Sequence, residues 1–550
     1  MKMTTMLRLV LGLTLCFGLV LSAGCAGISK ENQTGAHQGN GTEIDLVDEV
    51  EFDGFFPLAE KQTYTLWTID NQNLTPGYEK TATAALMEGA TNVHLSVAWV
   101  TAAEAAEKFG LMIASGDIPD MVYAGTGYYT GGAMQAVLDG VFQETTDLIE
   151  KWMPNYRALL NQNEQLQKDT TSDDGKRYSI YSIYVDDQMQ VDTSVNVIGL
   201  AIRSDWLEDA GLDMPTTIDE WTRVLRAFRE MGVERPLMLG SNGRLECGAF
   251  LTAYGITEEF YMDGDTVKFG PAQDAYKDYL KQMKEWYDEG LIDPNFTANN
   301  AYGMMDTQSM GGNKAGAGPI WWQFGGRELV NLGYPVEQDF FFAYAPYPVL
   351  EEGDVPKVAY ESSMLSSQLC INADVTGNRL EILCRYLDYH YSRQGMLYRN
   401  YGKENLHYVV DGKGQISYAE YMTSDPDRNV IQMRIQNLAQ SLVAGAISTG
   451  TNYASYVGGA TTEGLDMQPT WEADTSLVYP AYATMTGEEL AVFSGTYTNI
   501  MTLVDEMSTK FILGVRSLDE FDAFVDQLYQ YGLENCLAYK QAAYDRYKKR

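Results

Sequence analysis

The chain has 550 residues, too many for one ordinary hydrophobic core, so two or three domains or two large lobes are expected. Apolar residues make up 45% of the sequence, as in a folded globular protein, and aromatic residues make up 12%. The formal net charge of -36 argues against nucleic-acid binding, which requires a basic surface, and it disfavours an anionic ligand.

The N-terminus resembles a lipoprotein signal peptide. A positively charged start precedes thirteen apolar residues, 9–21, which are too few for a comfortable membrane span. The following residues resemble a lipobox that ends at Cys25, although Ser22 stands where leucine is usual. This resemblance implies a signal peptide over residues 1–24 and a lipid on Cys25. An ordinary secretory signal with an incidental cysteine is the alternative.

The segment after the leader predicts a tether and then the first strand. Residues 25–60 are polar, acidic and glycine-containing, which is typical of a flexible linker. Residues 62–70 predict a strand, so Asp70 and Asn71 would lie at its carboxyl end. Because ligands of open α/β sheets bind beyond the carboxyl ends of strands, both are candidate hydrogen-bond partners of a ligand.

A glycine-rich loop follows a second strand, a helix over residues 102–114 and a short buried strand. Its glycines, in residues 124–131, would let the backbone approach a ligand closely, and Tyr128 could stack on that ligand. The spacing of these glycines is not a dinucleotide-binding fingerprint. A plain glycine-rich connector is the alternative interpretation.

Residues 196–230 predict a strand, a short helix, a turn and a longer helix. The strand follows Asn196, and Ser204 is a candidate cap of a short helix that ends near Gly211. Thr217, with Glu220 three residues later, forms a capping-box pattern before an amphipathic helix.

The second half of the chain predicts further elements in sequence. A hairpin over residues 262–269 and a helix over 276–289 precede a glycine-rich loop at 316–324, which contains Trp321 and Trp322. Another loop, in residues 461–480, contains Trp471. Aromatic rings in such loops could stack on a sugar ring, while packing in the core is the alternative for each. Thr486 predicts the start of a helix, and residues 533–547 predict the last one.

Several segments in chain order resemble the extracellular solute-binding lipoproteins of bacterial ABC sugar importers, of the Gram-positive polysaccharide-uptake type. They are the strand-helix pattern of residues 196–230, Ala-Ser-Gly-Asp-Ile-Pro-Asp at 114–120, Glu-Gly-Leu-Ile-Asp-Pro-Asn-Phe at 289–296, Lys-Phe-Ile-Leu-Gly with Ser-Leu-Asp-Glu-Phe at 510–521, and Ala-Tyr-Asp-Arg-Tyr at 543–547.

The resemblance implies an α/β protein with a two-lobed, periplasmic-binding-protein-like type II fold, a hinge and a ligand cleft between the lobes. The implied division is residues 61–193 in the first lobe, 194–355 in the second, 356–440 back in the first, and a helical part, 441–550, mainly in the second.

The resemblance also implies the function. A carbohydrate, expected to be an oligosaccharide, would bind between the lobes of a lipid-anchored extracellular monomer and pass to the transmembrane permease subunits of an ABC importer. The candidate hydroxyl partners are Asp70, Asn71 and Asn196, and the candidate stacking residues are Tyr128, Trp321, Trp322 and Trp471. A surface glycan-degrading enzyme and a peptide-binding or sensor lipoprotein are the alternatives.

The sequence predicts neither an enzyme nor a cofactor site. It contains no HExxH, GxSxG, P-loop or CxxC pattern, and its four histidines lack partners at ligand spacing. Relatives often carry a calcium-type loop before residue 236, but the single acid of residues 231–235 cannot supply calcium's oxygen ligands, so no metal is expected. The cysteines outside the leader and lipobox are expected to be buried free thiols.

Overall fold

A computed structural model gives the conformation of residues 54–70, 77–192, 198–245, 248–299, 314–321, 342–359, 363–425, 428, 430–438, 443–451 and 474–550. The strands are β1 (Gln62–Asp70), β2 (Val93–Thr101), β3 (Met121–Tyr123), β4 (Ile180–Val185), β5 (Ile198–Arg203), β6 (Arg235–Leu237), β7 (Phe260–Asp263), β8 (Thr266–Phe269), β9 (Ala315–Trp321), β10 (Phe342–Ala345), β11 (Leu365–Ile371), β12 (Tyr408–Val410), β13 (Ile416–Tyr418) and β14 (Ala446–Ser448).

The α-helices are α1 (Ala82–Thr91), α2 (Ala105–Ser115), α3 (Gly132–Leu138), α4 (Thr146–Trp152), α5 (Pro154–Leu160), α6 (Glu164–Asp169), α7 (Ser204–Ala210), α8 (Ile218–Glu230), α9 (Asp274–Asp288), α10 (Gly377–Tyr389), α11 (Arg393–Asn400), α12 (Glu420–Thr423), α13 (Val430–Leu438), α14 (Gly487–Ile512), α15 (Phe521–Gln530) and α16 (Leu533–Tyr547).

The first lobe is built on a six-stranded sheet in the order β14-β4-β11-β3-β1-β2. β1 pairs in parallel with β2 and β3, and β14 pairs in parallel with β4, while β11 runs antiparallel to β3 and β4. All strands of this sheet except β11 therefore run in the same direction. Apolar side chains of β1, β4, β11, α4, α5, α10 and α11 share one buried cluster, which is the core of this lobe.

The second lobe is built on a four-stranded sheet in the order β10-β5-β9-β6. Its core joins side chains from β5, α8 and α9 to side chains from the C-terminal helices α14, α15 and α16. The predicted capping box is present, because Thr217 Oγ1 accepts from the Glu220 backbone and the Glu220 carboxylate accepts from the Thr217 backbone. The five predicted apolar positions of α8 are all buried: Ile218, Trp221, Val224, Leu225 and Phe228.

Two local expectations for the second lobe differ from the structure. The short helix α7 begins at Ser204 itself, with Arg203 at the N-cap, and it ends as predicted at Gly211 in the left-handed region (φ 64°). The predicted loop at 316–324 begins instead as strand β9, which lies between β5 and β6. Small side chains allow this close packing, since a Cβ on Gly316 would lie 2.6 Å from Phe228 Cδ2.

The chain crosses between the lobes beside three adjacent strands of the six-stranded sheet. The crossings follow β4, precede β11 and follow β14, and these strands are neighbours in the order β14-β4-β11. The helices of residues 474–550 then pack mainly on the second core, while Tyr482 packs against the first. The domain boundaries given by the sequence stay predictions. Within the described ranges, no helix is long and apolar enough to span a membrane.

Candidate functional site

The parallel strands of the first lobe bring their carboxyl ends to one edge of the sheet, called here the lobe-1 edge. Its strand-terminal residues are Asp70, Thr101, Tyr123, Val185 and Ser448. Two of the three crossings between the lobes start at this edge. It is therefore the position at which an open α/β sheet offers a ligand site.

An acidic cluster stands at this edge, centred on Asp187. Asp187 Oδ1 accepts hydrogen bonds of 2.6 Å from both Tyr401 Oη and Ser448 Oγ, and Arg393 donates to the Asp187 carbonyl. A Cβ on Gly450 would lie 2.4 Å from Asp187 Oδ2, so a larger residue there would displace the carboxylate. Burial and the neighbouring carboxylate raise the pKa of Tyr401, which keeps the phenol protonated as a donor.

A second carboxylate extends this cluster. Thr449 Oγ1 donates to Asp192 Oδ2 at 2.7 Å, and Asp192 precedes the first crossing between the lobes. Sequence reasoning missed both aspartates as site candidates. The available signal was the pair of adjacent acids at 186–187, directly after the strand at 180–185. This signal does not reveal the partners of Asp187, because they lie 214 and 261 residues away in the chain.

Tyr128 lies in the short turn that follows β3, beside the lobe-1 edge. Its ring is 6.1 Å from the ring of Phe109, and partial burial raises its pKa. The neighbouring Tyr129 donates to Asp139 Oδ2 at 2.7 Å, which ties that phenol to α3. The ring of Tyr128 is thus packed against Phe109 and remains partly exposed to solvent. Its stacking on a ligand stays a prediction.

The other candidate ligand residues lie at strand ends or outside the described residues. Asp70 is the last residue of β1, paired in register with Thr101 at the lobe-1 edge. Trp321 is the last residue of β9, where it pairs with Ile198. The candidates outside the described residues are Asn71, Asn196, Trp322 and Trp471. Their roles in ligand binding stay predictions.

The second lobe presents a corresponding edge. β5 begins there, immediately after the first crossing, and β9 is antiparallel to β5 and so ends there. β10 is also antiparallel to β5, and β6 is parallel to β9, so both end at this edge as well. The structure thus places the backbone of Trp321 at the edge of the second sheet that the crossing enters.

Two buried histidines, His390 and His407, lie in the first lobe. Burial, together with the Arg399 guanidinium, lowers the pKa of His390 to about 3, and burial beside Lys403 lowers that of His407 to about 4. Neither ring nitrogen of His390 has a hydrogen-bond partner among the described residues. Both imidazoles therefore stay neutral in the fold near neutral pH.

The pKa of His390 predicts acid sensitivity. The unfolded chain binds a proton near pH 6.5 and the folded chain near pH 3, so stability is lost as pH falls below 6.5. By pH 5 this single group should cost about 2 kcal/mol. His390→Phe keeps the ring contact with Tyr386, and its unfolding free energy should fall correspondingly less between pH 7 and pH 5. Urea titrations that give the same pH dependence for both proteins would contradict this expectation.

The cysteines behave as predicted where they are described. Cys370, Cys384 and Cys536 are buried free thiols, and burial raises the pKa of each. A raised thiol pKa suppresses the reactive thiolate, which fits a packing role. Cys247 lies outside the described residues. Among the residues that are described, no group of three or more His, Cys, Asp or Glu side chains could hold a metal ion.

Sequence comparison finds curated relatives that match along the chain. The fructooligosaccharide ABC transporter substrate-binding protein FusA of Streptococcus pneumoniae is 25% identical over 521 residues, covering 90% of this chain and 92% of FusA. The polygalacturonan/rhamnogalacturonan-binding protein YtcQ of Bacillus subtilis is 29% identical over 240 residues, covering 42% of this chain and 44% of YtcQ.

Solved structures share the fold. The alginate-binding protein AlgQ2 without calcium ion aligns with a TM-score of 0.69 and 22% identity, over 90% of this chain and 99% of AlgQ2. A solute-binding protein associated with an HMO-binding ABC transporter, from Bifidobacterium longum infantis, aligns with a TM-score of 0.68 and 17% identity, over 89% of this chain and all of that one. At these identities the likeness supports the fold alone, which is the predicted two-lobed one.

The model of the family described as bacterial extracellular solute-binding protein matches residues 71–367. That range is more than half of the chain, and it includes β2, β3 and β4 of the first sheet, the first crossing and the whole four-stranded sheet. The protein therefore belongs to the bacterial extracellular solute-binding protein family.

Proposed function

We propose that the protein captures a neutral oligosaccharide between its two lobes and delivers it to the transmembrane permease subunits of an ABC importer. The observation that carries the proposal is the polar cluster around Asp187, which stands at the edge of the first sheet from which the chain crosses to the second. The match to FusA along 90% of the chain supports an oligosaccharide as the ligand. Binding without catalysis is part of this proposal.

The charge of the protein favours a neutral sugar over an acidic one. Asp187 and Asp192 place carboxylates at the lobe-1 edge, and the whole chain carries a net charge of -36. A uronate would bring like charges into this region, whereas sugar hydroxyls can donate hydrogen bonds to carboxylate oxygens. The relatives include proteins named for both kinds of glycan, so their names do not decide between them.

The cellular setting is part of the proposal. Cys25 would carry the lipid that holds a monomeric chain on the outer face of the membrane, with residues 25–60 as the tether. The proposed ligand contacts remain those expected from the sequence. They are the hydroxyl partners Asp70, Asn71 and Asn196, and the stacking residues Tyr128, Trp321, Trp322 and Trp471.

Calorimetry on the chain lacking residues 1–25 tests the proposal. Kestose and nystose serve as neutral probes, and short oligogalacturonates and oligomeric alginate as acidic probes. The expected result is saturable 1:1 binding of a neutral oligosaccharide that is recovered intact by chromatography. Cleavage of the sugar would identify an enzyme, and binding of peptides in place of every glycan tested would identify a peptide receptor.

The preference for neutral sugars is a separate prediction. A neutral oligosaccharide should bind at least about tenfold more tightly than a uronate of equal length, the factor that corresponds to one modest repulsion between like charges. Repeating the titrations at low and high salt is the control, since screening should narrow the difference. Tighter binding of a uronate at low salt would refute the preference for neutral sugars and leave the transport role standing.

A further inference from the structure

The C-terminal end of α16 joins the two lobes. Leu533, at the start of the helix, is buried in the core of the second lobe. At the other end, Tyr547 Oη donates to Asp169 Oδ1 at 2.5 Å and accepts from Gln165 Nε2. Both partners belong to α6, which packs into the core of the first lobe through Leu166. The N-terminal end of α16 is therefore buried in the second lobe, and its C-terminal end contacts the first lobe.

Two arginines near the C-terminal end of α16 bind one carboxylate of the first lobe, that of Asp173. Arg546 Nε donates to Asp173 Oδ2 at 2.9 Å, and Arg550 Nε donates to Asp173 Oδ1 at 2.7 Å. Arg546 also makes a two-pronged contact with Glu489, at 3.0 and 2.6 Å. Arg550 donates to the Tyr482 carbonyl at 3.0 Å, and its side chain is only 4% exposed. Asp173 is thus held by two cations of the opposite lobe.

The contact lies beside the hinge. Tyr482, whose carbonyl receives Arg550, packs edge-on against Tyr181 with ring centroids 6.1 Å apart. Tyr181 lies near the start of β4, and the Tyr482 side chain is also hydrogen-bonded to Ser363, which stands just before β11, where the second crossing between the lobes ends. Motion of one lobe relative to the other about the crossings would therefore turn close to this contact.

We infer that Arg546, Tyr547 and Arg550 form a strap across the hinge, which fixes the pivot and limits how far the lobes open without ligand. Charge-assisted hydrogen bonds are among the stronger side-chain contacts, and a buried arginine left unpaired is costly. Wide opening about another axis would separate Asp173 from both arginines. The strap thus keeps the ligand-free lobes near the geometry that can close, which raises the binding-competent fraction.

The test compares two variants of the strap, Asp173→Asn and Arg550→Gln, with a variant of an ion pair that lies within one lobe. Arg226→Gln is the matched control, because Arg226 contacts Glu289 through two bonds of 2.6 Å and both lie in the second lobe. Spin labels on cysteines that replace the exposed Lys108 and Asp526 report the distance between the lobes. Circular dichroism and thermal unfolding verify that each variant is folded.

Without ligand, both strap variants should show a longer and broader interlobe distance than the parent, and the control should not. Tyr547→Phe removes a single hydroxyl, so it should give an intermediate shift and keeps the test usable if a charge variant fails to fold. Folded strap variants with the parent's distance distribution would overturn the inference. This readout needs no sugar, so it is separate from the proposed function.

If the proposed function holds, the strap variants should also bind the oligosaccharide roughly threefold to tenfold more weakly, with the control unchanged. Unchanged affinity together with a longer ligand-free interlobe distance would show that the strap limits opening of the lobes, and it would refute the proposed effect on binding.

Discussion

Replacing Phe250 with alanine should lower the free energy of unfolding of the second lobe by about 3–5 kcal/mol. The ring of Phe250 is fully buried between Trp221 and Trp286, with both centroid distances 5.2 Å and both interplanar angles 87°. Deleting it removes a large apolar contact and both edge-to-face interactions, and it leaves a cavity between two rigid indoles. Urea unfolding followed by tryptophan fluorescence measures the loss.

The backbone of Phe250 supplies a further test, because its φ of 72° lies in the left-handed region. The left-handed conformation costs a residue with a Cβ roughly 1–2 kcal/mol. Alanine would keep this steric cost, whereas glycine adopts the conformation without it. Phe250→Gly should therefore be no less stable than Phe250→Ala. Tyr529→Ala, at an exposed position of α15, is the control and should change stability by less than about 0.5 kcal/mol. A loss below about 1 kcal/mol for Phe250→Ala would contradict the close packing seen here.

Replacing Asp187 with alanine should affect both stability and binding. The change leaves Tyr401 and Ser448, 0% and 1% exposed, without their shared acceptor. Because the two hydroxyls are 3.1 Å apart and can still bond to each other, the loss should be about 1–3 kcal/mol. If the lobe-1 edge lines the ligand site, oligosaccharide affinity should also fall about tenfold, the equivalent of one charged hydrogen bond.

Two variants separate the possible causes of such a loss. Asp187→Asn keeps an acceptor for the hydroxyls but removes the charge, so it should preserve stability better than alanine. Asp374→Ala is the matched control, because this exposed residue follows the antiparallel strand β11 and so lies at the opposite edge of the same sheet. Calorimetry and urea unfolding give both readouts. Parent-like stability and affinity for Asp187→Ala would remove this residue from the site.

Local sequence determined much of the secondary structure. The capping box at Thr217 and Glu220 and the apolar spacing of α8 predicted a helix that the structure confirms, and the hairpin and the final helix were also predicted correctly. These features depend on contacts between residues three or four apart, or on one turn, so they can be inferred from a short window. The segments that resemble the family added the two-lobed architecture to this local information.

Tertiary structure determined the strands and side-chain contacts that depend on residues far apart in the chain. Residues 316–321 contain glycine and proline and predicted a loop, but pairing with β5 and β6 makes them a strand. Asp187 meets Ser448 across 261 residues, and Asp173 meets Arg550 across 377. No local pattern marks these partners, because the sheet order and the return of the chain at the hinge bring them together. The sequence by itself thus determined several helices, the hairpin and the family resemblance, while only the folded chain determined the acidic cluster at the lobe-1 edge and the strap across the hinge.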